Sequence, residues 1–379
     1  TNEVVEVFDP SRGIFAHPAR HVDNFGQQAR VGLAGALPLT GRAFALVGGV
    51  AKVRLELNKG ALTTSVLGEA CGGGDCPASK AVWRVDLASN GASGTTLDSF
   101  LSQPAVGRVA SKGGPRVLVA GGATLPLPKS GDGRSADAFL CELGAGTAGC
   151  IQSSSFMKTA RANAATACIE QGEGGCKKLL LVGGRNSAAA PLAEVYDADA
   201  DSFENVTVKG NAPAMAHGGA LVPNGEGALL WLGASSKALF IDAAAAKGVA
   251  DLNAMRIEVT IADTITVKFS NVDLNGVVKA GADKRAMASA VGLADGSALL
   301  IGGIGSAGAP VADALWIDSD GKVKASLDLD VARFGAGAAR MDVKGPLAGC
   351  VLLAGGLTAA ADGSLKTVSH VEVFCPGSP

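Results

Sequence analysis

The amino-acid sequence repeats one short pattern along its whole length: an apolar run that ends in two glycines or in Gly-Ala. The copies are ALVGG at 45–49, VLVAGG at 117–122, LLLVGG at 179–184, ALLWLGA at 228–234, ALLIGG at 298–303 and VLLAGG at 351–356. The intervals from Gly48 to Gly355 average about 61 residues, which fits one four-stranded sheet per repeat. Such a unit must stack on its neighbours to bury its faces. The repeat therefore predicts one all-β domain over residues 1–379.

Composition agrees with a folded, turn-rich β protein. Apolar residues make up 47% of the chain and charged residues 18%, which is enough for a core and too apolar for disorder. The 53 glycines and 15 prolines suit many short strands joined by turns. A net charge of −2 does not favour nucleic acid as a partner. The apolar runs are too short to span a membrane, so we expect no membrane span.

The eight cysteines predict disulfides and an oxidising compartment. They fall into sequence neighbours that read as Cys71 with Cys76, Cys141 with Cys150, Cys168 with Cys176, and Cys350 with Cys375. Eight cysteines allow 105 pairings, so spacing alone leaves the connectivity open. Metal binding is the rival interpretation. No CxxC motif or neighbouring histidine supports it, and we expect neither a metal nor another cofactor.

We expect the protein to be exported, in the extracellular space or the cell envelope. The chain opens at Thr1, which we interpret as a mature form that has lost an export signal. A lipid anchor upstream of Thr1 is left open. The alanine-rich composition is compatible with a bacterial source.

The third repeat shows the predicted order of strands most clearly. An alanine-rich first strand at 160–170 precedes a glycine-rich turn and the apolar second strand at 177–184, and the segment 193–203 supplies two outer strands. Near-continuous apolar runs are typical of strands that are buried on both faces.

These features resemble kelch repeats of a β-propeller. The shared features are a Gly-Gly that closes the second strand, an Arg that opens the first, and a Glu-x-Tyr/Phe-Asp third strand. The opening residue is Arg30, Arg161, Arg285 or Arg333, His217 stands there in the fourth repeat, and the second repeat has no clear counterpart. The resemblance implies an all-β, six-bladed kelch-like β-propeller, with seven blades as the alternative.

The predicted blades follow the repeats, and both termini close the ring. Their approximate ranges are 19–95, 96–150, 151–210, 211–280, 281–327 and 328–379. VEVFDP at 5–10 is nearly repeated as VEVFCP at 371–376. We therefore expect residues 1–18 to complete the last blade.

The opening cations are the candidate ligand-binding residues. Arg30, Arg161, His217, Arg285 and Arg333 are predicted to lie near one mouth of the channel, where they could hold a carboxylate or sulfate. In the structural alternative, each guanidinium binds loop carbonyls or an acid of the adjacent blade, because a buried arginine needs partners.

The sequence contains no catalytic motif, and we predict no catalytic residues. Some kelch propellers are copper oxidases that need two tyrosines, whereas this chain has one, Tyr196. The favoured function is a non-catalytic binding or structural module at a cell surface or in an extracellular assembly, with a protein or glycan as partner. The alternative is a carbohydrate-active enzyme, isomerase-like or lyase-like, with its site at the channel mouth.

Overall fold

The computed structural model describes sixteen segments of the chain, and every structural statement below concerns these residues. They are 7–9, 14–16, 34–39, 43–49, 53–58, 61–66, 79–86, 91–111, 114–123, 133–144, 148–185, 188–235, 254–272, 284–306, 308–341 and 347–375. Within them the chain forms strands, turns and bends and no helix, so the all-β prediction is confirmed. Accordingly, no described segment is an apolar helix of membrane-spanning length.

The chain divides into two compact units, described separately here. Unit 1 comprises Thr1–Arg54 and Val66–Asn205, and unit 2 comprises Leu55–Ser65 and Val206–Pro379. The strands up to the end of unit 1 are β1 (Val7–Asp9), β2 (Ile14–Ala16), β3 (Ala34–Pro38), β4 (Ala43–Gly48), β5 (Val53–Asn58), β6 (Ala61–Val66), β7 (Ser79–Asp86), β8 (Gly91–Leu101), β9 (Ala105–Ser111), β10 (Gly114–Ala120), β11 (Ala138–Leu143), β12 (Ala148–Gln152), β13 (Ala165–Gly172), β14 (Gly175–Val182), β15 (Ala193–Asp197) and β16 (Ser202–Asn205).

β5 and β6 lie mostly within Leu55–Ser65 and so belong mainly to unit 2. All the remaining strands also belong to unit 2. They are β17 (Thr207–Gly210), β18 (Ala220–Pro223), β19 (Ala228–Leu232), β20 (Met255–Thr260), β21 (Thr266–Asn271), β22 (Arg285–Ala286), β23 (Ser289–Gly292), β24 (Ala298–Ile301), β25 (Ile304–Gly305), β26 (Asp313–Ile317), β27 (Val323–Asp328), β28 (Gly337–Arg340), β29 (Val351–Ala354), β30 (Leu357–Ala359), β31 (Leu365–Thr367) and β32 (Glu372–Phe374).

Unit 1 contains three successive antiparallel meanders. The first has the order β3-β4-β7-β8. The second, β9 to β12, and the third, β13 to β16, join into one eight-stranded sheet through a parallel bridge between Val109 and Cys176. Unit 2 contains a five-stranded sheet in the order β17-β21-β20-β19-β18, a four-stranded sheet β23-β24-β26-β27, and a three-stranded sheet β28-β29-β32.

Within each unit, consecutive meanders pack face to face, which is a propeller-like arrangement of blades. In unit 1, Val117 and Val119 of β10 pack towards the first meander, while Leu118 and Ala120 pack towards the third. In unit 2, β24 shares its two faces in the same way between the preceding and following sheets. The glycine-ended strands are therefore buried on both sides, as their apolar runs predict.

The number of blades, the closure of the ring by both termini and the single-domain organisation stay predictions. The first strands β1 and β2 pair with each other as a hairpin. Segment 257–269 falls on β20 and β21, which are the outer strands of the sheet that begins at β18.

Candidate functional site

Arg161 is a completely buried cation whose partners all lie within its own meander. Its side chain is 1% exposed, and its Nε forms an ion pair with the equally buried carboxylate of Glu194 on β15. One terminal nitrogen donates to the carbonyls of Gly183 (2.6 Å) and Leu192 (3.0 Å). The other donates to the carbonyl of Pro191 at 2.7 Å. The guanidinium thus ties the start of the meander to its glycine pair and to its third strand.

Arg333 and Arg285 make the same kind of clamp in unit 2. Arg333 pairs with Glu372 of β32 and donates to the carbonyl of His370 at 2.7 Å. Arg285 lies 2.5 Å from a carboxylate oxygen of Asp313 and donates to the Asp313 carbonyl at 3.0 Å. In each case the acid stands on the third strand of the sheet that the arginine opens.

These contacts favour the structural alternative for the opening cations, with one difference. The acid belongs to the arginine's own meander rather than to the adjacent one. His217 is also buried, and its backbone exchanges hydrogen bonds of 2.7 and 3.0 Å with that of Ser235. Arg30 lies outside the described residues. Anion binding by this set of residues stays a prediction.

The backbone of the opening residue has a second role, which links neighbouring sheets. The second glycine of the preceding pair donates its N–H to the carbonyl of the opening residue, from Gly122 to Arg161 at 2.7 Å and from Gly303 to Arg333 at 2.8 Å. Gly49 donates in the same way to Leu101 at 3.0 Å. Leu101 is therefore the counterpart that the second repeat lacks in sequence.

Three of the predicted disulfides are confirmed. Cys141 and Cys150 are directly opposite each other on β11 and β12, with their Cα atoms 4.0 Å apart. The other two bridges join Cys168 to Cys176, and Cys350 to Cys375. Cys71 and Cys76 lie outside the described residues.

The acidic turn after β15 is anchored by hydrogen bonds. The Asp197 carboxylate accepts from the N–H groups of Asp199 and Ala200 and pairs with Lys178. Its burial acts to raise its pKa, but these donors outweigh burial and leave the pKa below its ordinary value. Among the described residues, no cluster of three or more His, Cys, Asp or Glu side chains could hold a metal ion.

A cavity for which the sequence gives no signal lies on β3, β9 and β13, the first strands of the three meanders of unit 1. It has a volume of about 480 Å³ and contacts β3 through Leu37, β9 through Val106 and Arg108, and the β13–β14 hairpin. Thr166 on β13 donates its hydroxyl to the Val106 carbonyl at 2.9 Å, which fixes these strands to each other. Arg108 is the charged residue in the lining, and no carboxylate is among the described lining residues.

Neither the family models nor the curated proteins contain a match to this chain. Among solved structures, the chain is similar to the one described as the structure of YjhT. The two chains are 14% identical, and the alignment covers 85% of this chain and 96% of that one, with a TM-score of 0.49.

Proposed function

We propose that the protein is an exported, non-catalytic binding or structural module built as a kelch-like β-propeller. Its partner is a protein or glycan at a cell surface or in an extracellular assembly. Three bridges in the described residues are compatible with an oxidising, extracellular setting.

The observation that carries the proposal is the way in which charge is distributed. The buried acids Glu194 and Asp313 and the partly buried Glu372 each pair with an arginine of their own meander. The cavity on β3, β9 and β13 has Arg108 but no carboxylate among its described lining residues. Proton transfer in sugar isomerisation or elimination needs a positioned acid and base within reach of the substrate. This cavity is therefore better suited to binding a ligand than to transforming one.

Exposed apolar side chains offer a second contact surface. Ile151 on β12 and Phe156 just after it are 57% and 56% exposed, so two large apolar side chains lie close together in sequence at the surface. β12 is also an edge strand of its sheet in the described residues. A protein partner could cover these side chains in an assembly.

Incubation with neutral and acidic sugars, followed by thermal unfolding and by proton NMR over hours, tests the proposal. We expect a rise in melting temperature with at least one sugar, or with a cell-surface fraction, while every sugar spectrum stays unchanged. Appearance of product resonances would instead support the carbohydrate-active alternative and overturn the non-catalytic function.

A further inference from the structure

We infer that the cavity on β3, β9 and β13 binds a small monocarboxylate with an apolar body, and that Arg108 binds its carboxylate. The inference deepens the proposed function and rests on it, since it names a ligand class for one surface of the binding module.

Arg108 differs from the clamped arginines in having its guanidinium available. The Arg161 guanidinium donates to one carboxylate and three carbonyls. Arg108 is only partly buried, and within the part of the chain that the structure describes its side chain forms no hydrogen bond or ion pair. A guanidinium that is partly removed from water and has no acid beside it favours binding of an external anion, and its planar donors match a carboxylate bidentately.

The walls of the cavity select for a ligand that is mainly apolar and carries one charge. Leu37, Val106 and Leu179 supply aliphatic surface, and Arg108 is the single cation among the described lining residues. A doubly charged phosphate or sulfate would keep part of its charge uncompensated beside these carbons. The volume of about 480 Å³ lies within the usual range for small-molecule sites.

The wall opposite Arg108's strand is held in place before any ligand arrives. The Cys168–Cys176 bridge staples the β13–β14 hairpin. A Cβ at Gly175 in the hairpin would come within 2.7 Å of the Val109 backbone, so the hairpin lies directly against β9. A preformed wall of this kind reduces the ordering cost of binding.

Benzoate is a suitable probe, with benzyl alcohol as its neutral counterpart. Their dissociation constants for the intact protein can be measured by ligand-observed NMR titration at fixed ionic strength. We expect benzoate to bind and benzyl alcohol to bind at least tenfold more weakly. Arg108→Gln should weaken benzoate binding by about 10- to 100-fold, because it removes the charged donors. Arg108→Lys should fall between the two, because it keeps the charge but not the planar donor pair.

Lys158→Gln is the matched control, since it removes one positive charge from an exposed residue of the same unit. Its benzoate affinity should stay within twofold of wild type. Equal affinity of the wild type and the Arg108→Gln variant for benzoate would overturn the inference, and so would no binding by the wild type. If Arg108→Gln does not fold by circular dichroism, Arg108→Lys takes its place, and an unchanged affinity again overturns the inference. These failures leave the proposed function standing, since only conversion of a sugar contradicts that.

Discussion

At the scale of the residue, the first glycine of three of the pairs is required by the short distance to the next repeat. Gly302 has a φ of +59°, and a Cβ there would overlap the carbonyl oxygen of Arg333 on the next sheet. Gly48 and Gly121 stand in the same relation to Leu101 and Arg161. Glycine permits both the left-handed backbone and the close approach. At these three repeats the glycine is thus a consequence of how tightly successive sheets pack.

Gly302→Ala should destabilise the protein by about 2–4 kcal/mol, because backbone strain adds to overlap with the Arg333 carbonyl. Gly233→Ala is the control. It has a similar φ of +74°, but its Cβ would meet the Ala288 carbonyl oxygen at an ordinary 3.5 Å. We expect it to cost about 1 kcal/mol. Urea unfolding of both variants measures the difference, and equal losses would contradict the role of close approach.

The buried clamp gives a second prediction at this scale. Glu194→Gln leaves the Arg161 charge buried without its counterion and should lower the free energy of unfolding by about 3–5 kcal/mol. Glu258→Gln removes an acid of the same type that pairs with Arg256 and Lys268 near the surface, and should cost less than about 1 kcal/mol. The two are compared by denaturant titration at pH 7. Losses of the same size would show that the clamp contributes no more than a surface ion pair.

Individual residues also show what sequence could predict and what it could not. The opening arginines and the glycine pairs can be recognised in the sequence because a charged side chain and a left-handed backbone each require particular residue types. Leu101 occupies the same structural position through its carbonyl, which any residue carries, so its type gave no signal. The sequence predicts loop carbonyls or an acid of the adjacent blade as partners of each guanidinium. The structure shows carbonyls together with an acid of the same meander, because the pairing depends on which strand faces the guanidinium, and residue type does not encode this. The cavity on β3, β9 and β13 has no signal in the sequence, because its lining residues come from strands that are far apart along the chain.

At the scale of the element, one turn fastens the third meander of unit 1 to the segment that precedes it. Asp201, in the turn between β15 and β16, accepts hydrogen bonds from the Ser153 hydroxyl at 2.6 Å, the Ser154 N–H at 2.9 Å and the Tyr196 hydroxyl at 2.8 Å. Burial acts to raise the pKa of Asp201, but these donors outweigh it and hold the pKa below its ordinary value. Burial, together with the bond to Asp201, raises the pKa of Tyr196, which keeps its hydroxyl protonated as the donor.

The lowered pKa of Asp201 predicts how this turn responds to acid. A carboxyl whose folded pKa is depressed stabilises the protein above its unfolded pKa, and that contribution is lost as pH falls through the folded value. Asp201→Asn should therefore cost about 1–2 kcal/mol at pH 7 and progressively less below about pH 4. Urea unfolding at pH 7, 5 and 3 measures this gap. Asp199→Asn, on the exposed side of the same turn, is the control, and a gap for Asp201→Asn that widens in acid would refute the assignment.

At the scale of the whole molecule, the bridges differ in how much chain they close. Cys350 precedes β29 and Cys375 follows β32, so their bridge spans 25 residues and extends the pairing of Val351 with Phe374. The Cys141–Cys150 and Cys168–Cys176 bridges span 9 and 8 residues. A longer loop removes more conformational entropy from the unfolded chain.

The Cys350→Ser/Cys375→Ser variant should accordingly lose about 3.5 kcal/mol, against about 2.5 kcal/mol for Cys141→Ser/Cys150→Ser. Thermal unfolding under non-reducing conditions compares the two variants with wild type. An unchanged melting temperature for the first variant would contradict a role of this bridge in holding the last sheet together. Peptide mapping without reduction should also recover Cys71 linked to Cys76, as the sequence predicts.

The β13–β14 hairpin has a consequence for engineering with this scaffold. Gly175 of this hairpin lies against β9, and Cys176 forms a parallel β-bridge with Val109. The second and third meanders are therefore parts of one continuous sheet. Moving the third repeat alone into another protein would expose the side of the second repeat that it covers. It would also remove the β13–β14 part of the cavity on β3, β9 and β13. Domain shuffling in unit 1 should therefore move these two repeats as one indivisible block.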